Sequence, residues 1–105
     1  MYKAIFFLVF IFLLGSSCQK NTTSSCDPDV SFSKQVKPLI IVKCGKSGCH
    51  DDINIPALSD YFVAHDGSAQ IKASIQTGRM PLNGTLTSSE KNTIICWIDN
   101  GSMNN

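Results

Sequence analysis

The sequence predicts an all-α domain of short helices joined by long loops. Three observations carry that prediction. Apolar residues recur at three- and four-residue intervals in several segments, which places them on one helical face. No stretch alternates apolar and polar residues as a half-buried strand requires. Near the end, Thr87 and Glu90 stand three apart just before an apolar stripe, the spacing of a capping box in which hydroxyl and carboxylate each meet a free backbone donor.

In chain order, Phe32, Val36, Leu39, Ile40 and Val42 fit a helical face. Pro38 lacks a backbone donor and is tolerated only in a first helical turn. A short turn from about Ser33 is therefore expected to lead into a main helix from Pro38 to Cys44. Asp51–Ile55 reads as loop. Ser59–Ala64 and Ser68–Thr77 are two short helical segments, the second with Ala69, Ile71 and Ile75 and ending at Gly78, a residue that accepts the left-handed conformation favoured at helix ends. Arg79–Leu86 is again loop, and on this pattern His65 lies in an exposed loop as well. The last helix follows its Thr87 cap, with Ile94, Ile95, Trp97 and Ile98 as the apolar stripe and Gly101 as the stop. There are no internal repeats.

The first residues read as an address. Lys3 gives a basic start, Ala4–Leu14 (AIFFLVFIFLL) is an unbroken apolar run, and Gly15, Ser16 and Ser17 are small. The run falls short of the roughly 20 residues of a membrane-spanning helix and matches the apolar region of a secretory signal. Cys18 stands where a bacterial lipoprotein carries its lipid-modified cysteine, although Gly15 occupies the place where a large aliphatic residue is usual. The expected organisation is a lipoprotein signal peptide over 1–17, a flexible tether over 18–25 and one folded domain over 26–105. The destination is the periplasmic or cell-surface side of a bacterial membrane. The formal net charge of +1 is accounted for by Lys3, so the remainder is balanced. With no basic patch, nucleic acid is not an expected partner.

A domain this small usually needs disulfides, a metal or a cofactor as part of its core. Long loops in a small helical domain also call for something to wrap. The stretch CGKSGCH (Cys44–His50) supplies a candidate. Two thiols can add to the two vinyl groups of a porphyrin, and a histidine directly after the second can ligate the iron. The usual spacer has two residues. Here Gly45, Lys46, Ser47 and Gly48 intervene, and the two glycines can take the positive φ angles that a bulged turn needs. Three other readings use the same residues. Zinc would require a fourth ligand from Cys26, Cys96 or His65. A Cys44–Cys49 disulfide would close a tight loop, one of three pairings open to the four domain cysteines. A catalytic Cys–His pair lacks a third orienting group. A second iron ligand favours haem: Met80, in GRMP, lies in a loop before the stiffening Pro81, whereas a core methionine normally sits on an apolar helix face. Met103 is a weaker choice because a tail such as SMNN is expected to be poorly held, and His65, in its loop, is another.

Together, VSFSKQVKPLI (Val30–Ile40), CGKSGCH (Cys44–His50), GRMP (Gly78–Pro81) and CWIDNG (Cys96–Gly101) resemble the small monohaem cytochrome c domains of secreted or lipid-anchored proteins of Gram-negative bacteria. The four-residue spacer departs from the usual pattern. The resemblance implies a cytochrome c fold wrapped around one covalent haem c, with Cys44 and Cys49 as thioether positions and His50 and Met80 as axial ligands to iron. It further implies terminal helices that cross with Phe32 or Val36 against Trp97, and a disulfide between Cys26 and Cys96. The function then expected is extracytoplasmic electron transfer by a monomer with redox-protein donor and acceptor, anchored to the membrane through Cys18. It is not an enzyme, since no substrate bond changes. The alternative is a non-redox structural or binding lipoprotein stabilised by two disulfides or a zinc site.

Overall fold

A computed structural model describes residues 25–53 and 55–105. The expected signal peptide, the Cys18 anchor and nearly all of the tether lie outside these residues. Among the described residues the fold is all-helical, with no strand. A π-helical turn (Phe32–Val36) runs directly into α1 (Lys37–Lys43). There follow α2 (Tyr61–Asp66), α3 (Ser68–Gln76) and α4 (Ser88–Asp99). None of these helices is long and apolar enough to cross a membrane.

Local chemistry explains the starts of the π turn, α1, α2 and α4. The Ser31 hydroxyl accepts the Lys34 amide at 3.2 Å and opens the π turn. Pro38 falls in the first turn of α1, where its missing donor costs nothing. The Asp60 carboxylate accepts the Phe62 and Val63 amides and caps α2. That cap carries the helix through His65, so His65 sits in the last helical turn and not in the loop expected from VAHDGS. At α4 the capping box is complete: the Glu90 amide donates to Thr87 Oγ1 at 3.2 Å and the Thr87 amide to Glu90 Oε2 at 2.8 Å.

The core gathers Phe32 and Val36 from the π turn, Ile40 from α1, Ala64 from α2, Ile75 from α3, and Ile94 and Trp97 from α4. The π turn packs on α4, α4 on α3, and α3 on α2. Phe32 lies between two rings, with centroids 5.1 Å from Trp97 and 5.4 Å from Tyr61. The first of these is the contact that the resemblance implies. Cys26 and Cys96 form a disulfide with a sequence separation of 70. Closing a loop of that size restricts the unfolded chain by about 4 kcal/mol on the chain-entropy model.

The tail is held, contrary to the expectation that Met103 lies in a loose end. Trp97 Nε1 donates to the Met103 carbonyl at 2.8 Å. Asn105 meets the start of the π turn and the residues just before it four times: its side chain donates to the Val30 carbonyl (3.2 Å) and accepts the Phe32 amide (2.8 Å), and its carbonyl accepts the Ser31 hydroxyl (2.8 Å) and the Ser33 amide (2.8 Å). This belt closes the domain on the side of Trp97.

Candidate functional site

The expected functional residues belong to the irregular segments on either side of α2 and α3. After α1 the chain enters a sequence of tight turns. The Cys49 amide donates to the Lys46 carbonyl at 2.8 Å, and the His50 amide to the Cys44 carbonyl at 2.9 Å. The Asp51 carboxylate accepts the Gly48 amide at 2.8 Å and the Ile53 amide at 3.2 Å. The two spacer glycines serve different needs. Gly48 has φ +78°, in the left-handed region. Gly45 does not; a Cβ there would stand 2.9 Å from the Ile41 carbonyl oxygen, so its role is close approach to α1. The expectation of positive φ thus holds at Gly48 and is corrected at Gly45.

The turns bring Cys44, Cys49 and His50 to one cleft of about 320 Å³, within the roughly 300–1,000 Å³ of small-molecule sites. All three are half-buried, and both cysteines are free thiols. Burial raises the Cys44 pKa above the ordinary thiol value, and the neighbouring Cys49 adds to the rise. His50 Nδ1 stands 3.1 Å from the Pro56 carbonyl oxygen. A carbonyl can only accept, so Nδ1 carries the proton in the neutral ring and Nε2 keeps its lone pair. A histidine oriented in this way through its other nitrogen is the usual arrangement of a metal-ligating imidazole.

Met80 reaches the same cleft from the far end of α3. Gly78, at φ +73°, turns the chain out of the helix, and its amide donates to the Ile75 carbonyl. The Met80 amide donates to the Ser74 carbonyl at 3.1 Å. The Met80–Pro81 peptide bond is cis. The walls between these residues are largely apolar, with Ile40, Ile71, Ile75, Leu86 and Ile94 among them. Lys43 stands at the edge and pairs with Glu90 at 3.2 Å, joining α1 to α4. The Glu90 carboxyl is held below the usual carboxylate range, first by the Thr87 amide and then by Lys43.

Cys44, Cys49, His50 and Met80 therefore share one cleft, while His65 and Met103 lie outside its lining. His65 is exposed on α2 beside Asp66. Cys26 and Cys96, bonded to each other, are also outside it. Among the described residues no three His, Cys, Asp or Glu side chains converge as a metal cage, the arrangement that a zinc site would use. Sequence reasoning missed two contributors. The Pro56 carbonyl is a backbone acceptor with no sequence signature. Ser74 had a signal that passed unread: a polar residue in the stripe Ile71, Ser74, Ile75, which faces the core. Comparison of the chain with protein-family models, with curated proteins and with solved structures finds no match.

Proposed function

We propose that the cleft holds one covalently attached haem c and that the protein is a monomeric extracytoplasmic electron carrier, tethered to a bacterial membrane through Cys18. The observation that carries this reading is the meeting of Cys44, Cys49, His50 and Met80 in one apolar cleft, with His50 Nδ1 engaged by Pro56 and Nε2 left to ligate. The residues fit the group. Two thiols match two vinyl positions, one imidazole and one thioether match the two axial places of an iron porphyrin, and apolar walls suit its faces. Burial favours the thiol form of Cys44.

In this reading Cys44 and Cys49 would hold the porphyrin by thioethers, and His50 and Met80 would ligate the iron. The bound group supplies a one-electron couple. The chain's own part is to exclude water with Ile71, Ile75, Leu86 and Ile94, and to fix the imidazole through Pro56. With His50 and Met80 both ligating the iron, no position would remain for a substrate. Electrons come from and go to redox proteins, with little long-range steering, since the charges beyond Lys3 balance. A cytochrome c fold is the finer description that goes with this reading, and the Phe32–Trp97 contact is one that such a fold would make.

The test is attachment. Made in a host with c-type maturation, the protein should keep its haem through a denaturing gel, and Cys44→Ala with Cys49→Ala should abolish retention completely. A colourless protein from a host whose maturation is demonstrably working sinks the proposal. The anchor is tested separately: fatty-acid labelling should mark the wild type and leave Cys18→Ser unmarked and soluble. A wild type that takes no label removes the membrane tether and leaves the haem reading intact.

A further inference from the structure

Ser74 is an anomaly on α3. It is 9% exposed and stands on the buried face beside Ile75. A serine inside a helix usually points to solvent or bonds back to the carbonyl one turn earlier. Here the hydroxyl instead accepts from Arg79 Nη2 at 2.9 Å, while the Ser74 carbonyl accepts the Met80 amide at 3.1 Å. Two successive residues of the loop beyond Gly78 are thus fastened to one helical residue, which itself lines the cleft.

We infer that Ser74 is a positioning residue that docks the Arg79–Met80 loop on α3 and so sets how firmly the Met80 thioether is presented to the cleft. The inference rests on the proposed role of Met80 as an axial ligand. A methionine sulfur is a neutral, weak ligand, and its loop must be held by bonds of its own if the sulfur is not to swing away. The amide bond from Met80 ties the backbone. The guanidinium bond to the Ser74 hydroxyl, charge-assisted and partly shielded, keeps the preceding residue from peeling off. Pro81 begins the next turn and has no amide to contribute, so the fastening falls on Arg79 and Met80. The expected consequence is gating: loosening Ser74 should let other ligands in without unfolding the domain. Alanine is a better helix former than serine, so Ser74→Ala removes the hydroxyl with no penalty to α3 itself.

The experiment uses the haem-loaded ferric protein and measures the rate of imidazole binding, the near-infrared band of sulfur ligation, and exchange of the Met80 amide with deuterium. Ser74→Ala should speed imidazole binding and Met80 amide exchange about tenfold, equivalent to about 1.4 kcal/mol. Arg79→Gln should do the same, and the double variant should add nothing further, because both remove one bond. Ser74→Thr, which keeps the hydroxyl, should restore the slow rates. The inference is overturned if Ser74→Ala and Arg79→Gln both stay within twofold of the wild type. Should Ser74→Ala fail to fold, Arg79→Gln at the surface decides alone. A wild type with haem and no sulfur band, or without haem, defeats the Met80 assignment. Met80 amide exchange then still decides the docking role: faster exchange in the variants upholds it and unchanged exchange removes it.

Discussion

Where the π-helical turn meets α4, distant parts of the chain are joined. Phe32 stacks beside Trp97, Cys26 is bonded to Cys96, and Asn105 ties back to Val30, Phe32 and Ser33. Across the cleft, the described residues between Cys44 and Pro56 form a run of short-range turns. The bonds of its turns, from the Cys49 and His50 amides to Asp51 and the Pro56 carbonyl, run between residues no more than six positions apart. It leaves Ile53 78% exposed, whereas Phe32 is 3% exposed. The difference teaches how one small domain divides its tasks. Long-range packing makes the scaffold cooperative, and locally closed turns present the reactive side chains without depending on much of the core.

The sharpest way to break this comparison is at Trp97. It is almost wholly buried, touches Phe32, and donates to the Met103 carbonyl. Trp97→Ala should destabilise by roughly 3–5 kcal/mol, the range for large aromatics in cores. Urea unfolding followed by circular dichroism measures this. Because the tail belt hangs on the same residue, amide exchange should rise at Phe32 and Ser33, which bond Asn105, as well as in α4. A loss below about 1 kcal/mol would mean that the scaffold is not the cooperative unit described.

A smaller effect is expected on the other side. At Gly48, φ is +78° and a Cβ would meet nothing within 4 Å, so the only penalty of a side chain is backbone strain. Gly48→Ala should cost about 1–2 kcal/mol. It should speed exchange of the His50 amide, which bonds the Cys44 carbonyl, and leave α4 amides unchanged. If α4 responds as strongly as the turn, the two regions are one cooperative unit and the contrast fails.

What was legible in the sequence follows the same division, though not in the obvious sense. Short-range patterns could be read: the Thr87–Glu90 box, the helix end at Gly78, the stripe through Ile94 and Trp97, and the cysteine–histidine run. Each depends on residues within a few positions of one another. The pattern Ser59–Ala64 starts two residues before the Tyr61–Asp66 helix because the helix's signal is a single aspartate cap on six residues, too short for periodicity to define. The tail was not legible at all, since the value of Asn105 lies in partners more than 70 positions away. In the cleft, the side chains with distinctive chemistry could be named in advance. Their backbone supports could not, because the Pro56 and Ser74 carbonyls are atoms that every residue possesses; only the Ser74 hydroxyl leaves a mark, as a polar residue in an apolar stripe.

The smallest expected effect concerns Cys44 and uses pH to sharpen the contrast. Burial comes first among the causes that raise its thiol pKa, and Cys49 second. In the unfolded chain the thiol titrates near its ordinary value. The folded chain therefore holds the proton to higher pH than the unfolded one, and stability should fall as pH rises from that value through the folded pKa. Protein made without haem maturation and kept under anaerobic conditions should show this alkaline slope in urea unfolding at a series of pH values. Cys44→Ala should flatten it. Cys49→Ala should shift it only slightly, because burial outweighs the neighbouring thiol. The scaffold cannot produce the slope through its own cysteines, since Cys26 and Cys96 are bonded and do not titrate. The haem-loaded protein should lack it too, because a sulfur in a thioether has no proton to lose. A slope that survives Cys44→Ala would assign the alkaline loss to another group and show that this wall of the cleft is more open to water than its lining suggests.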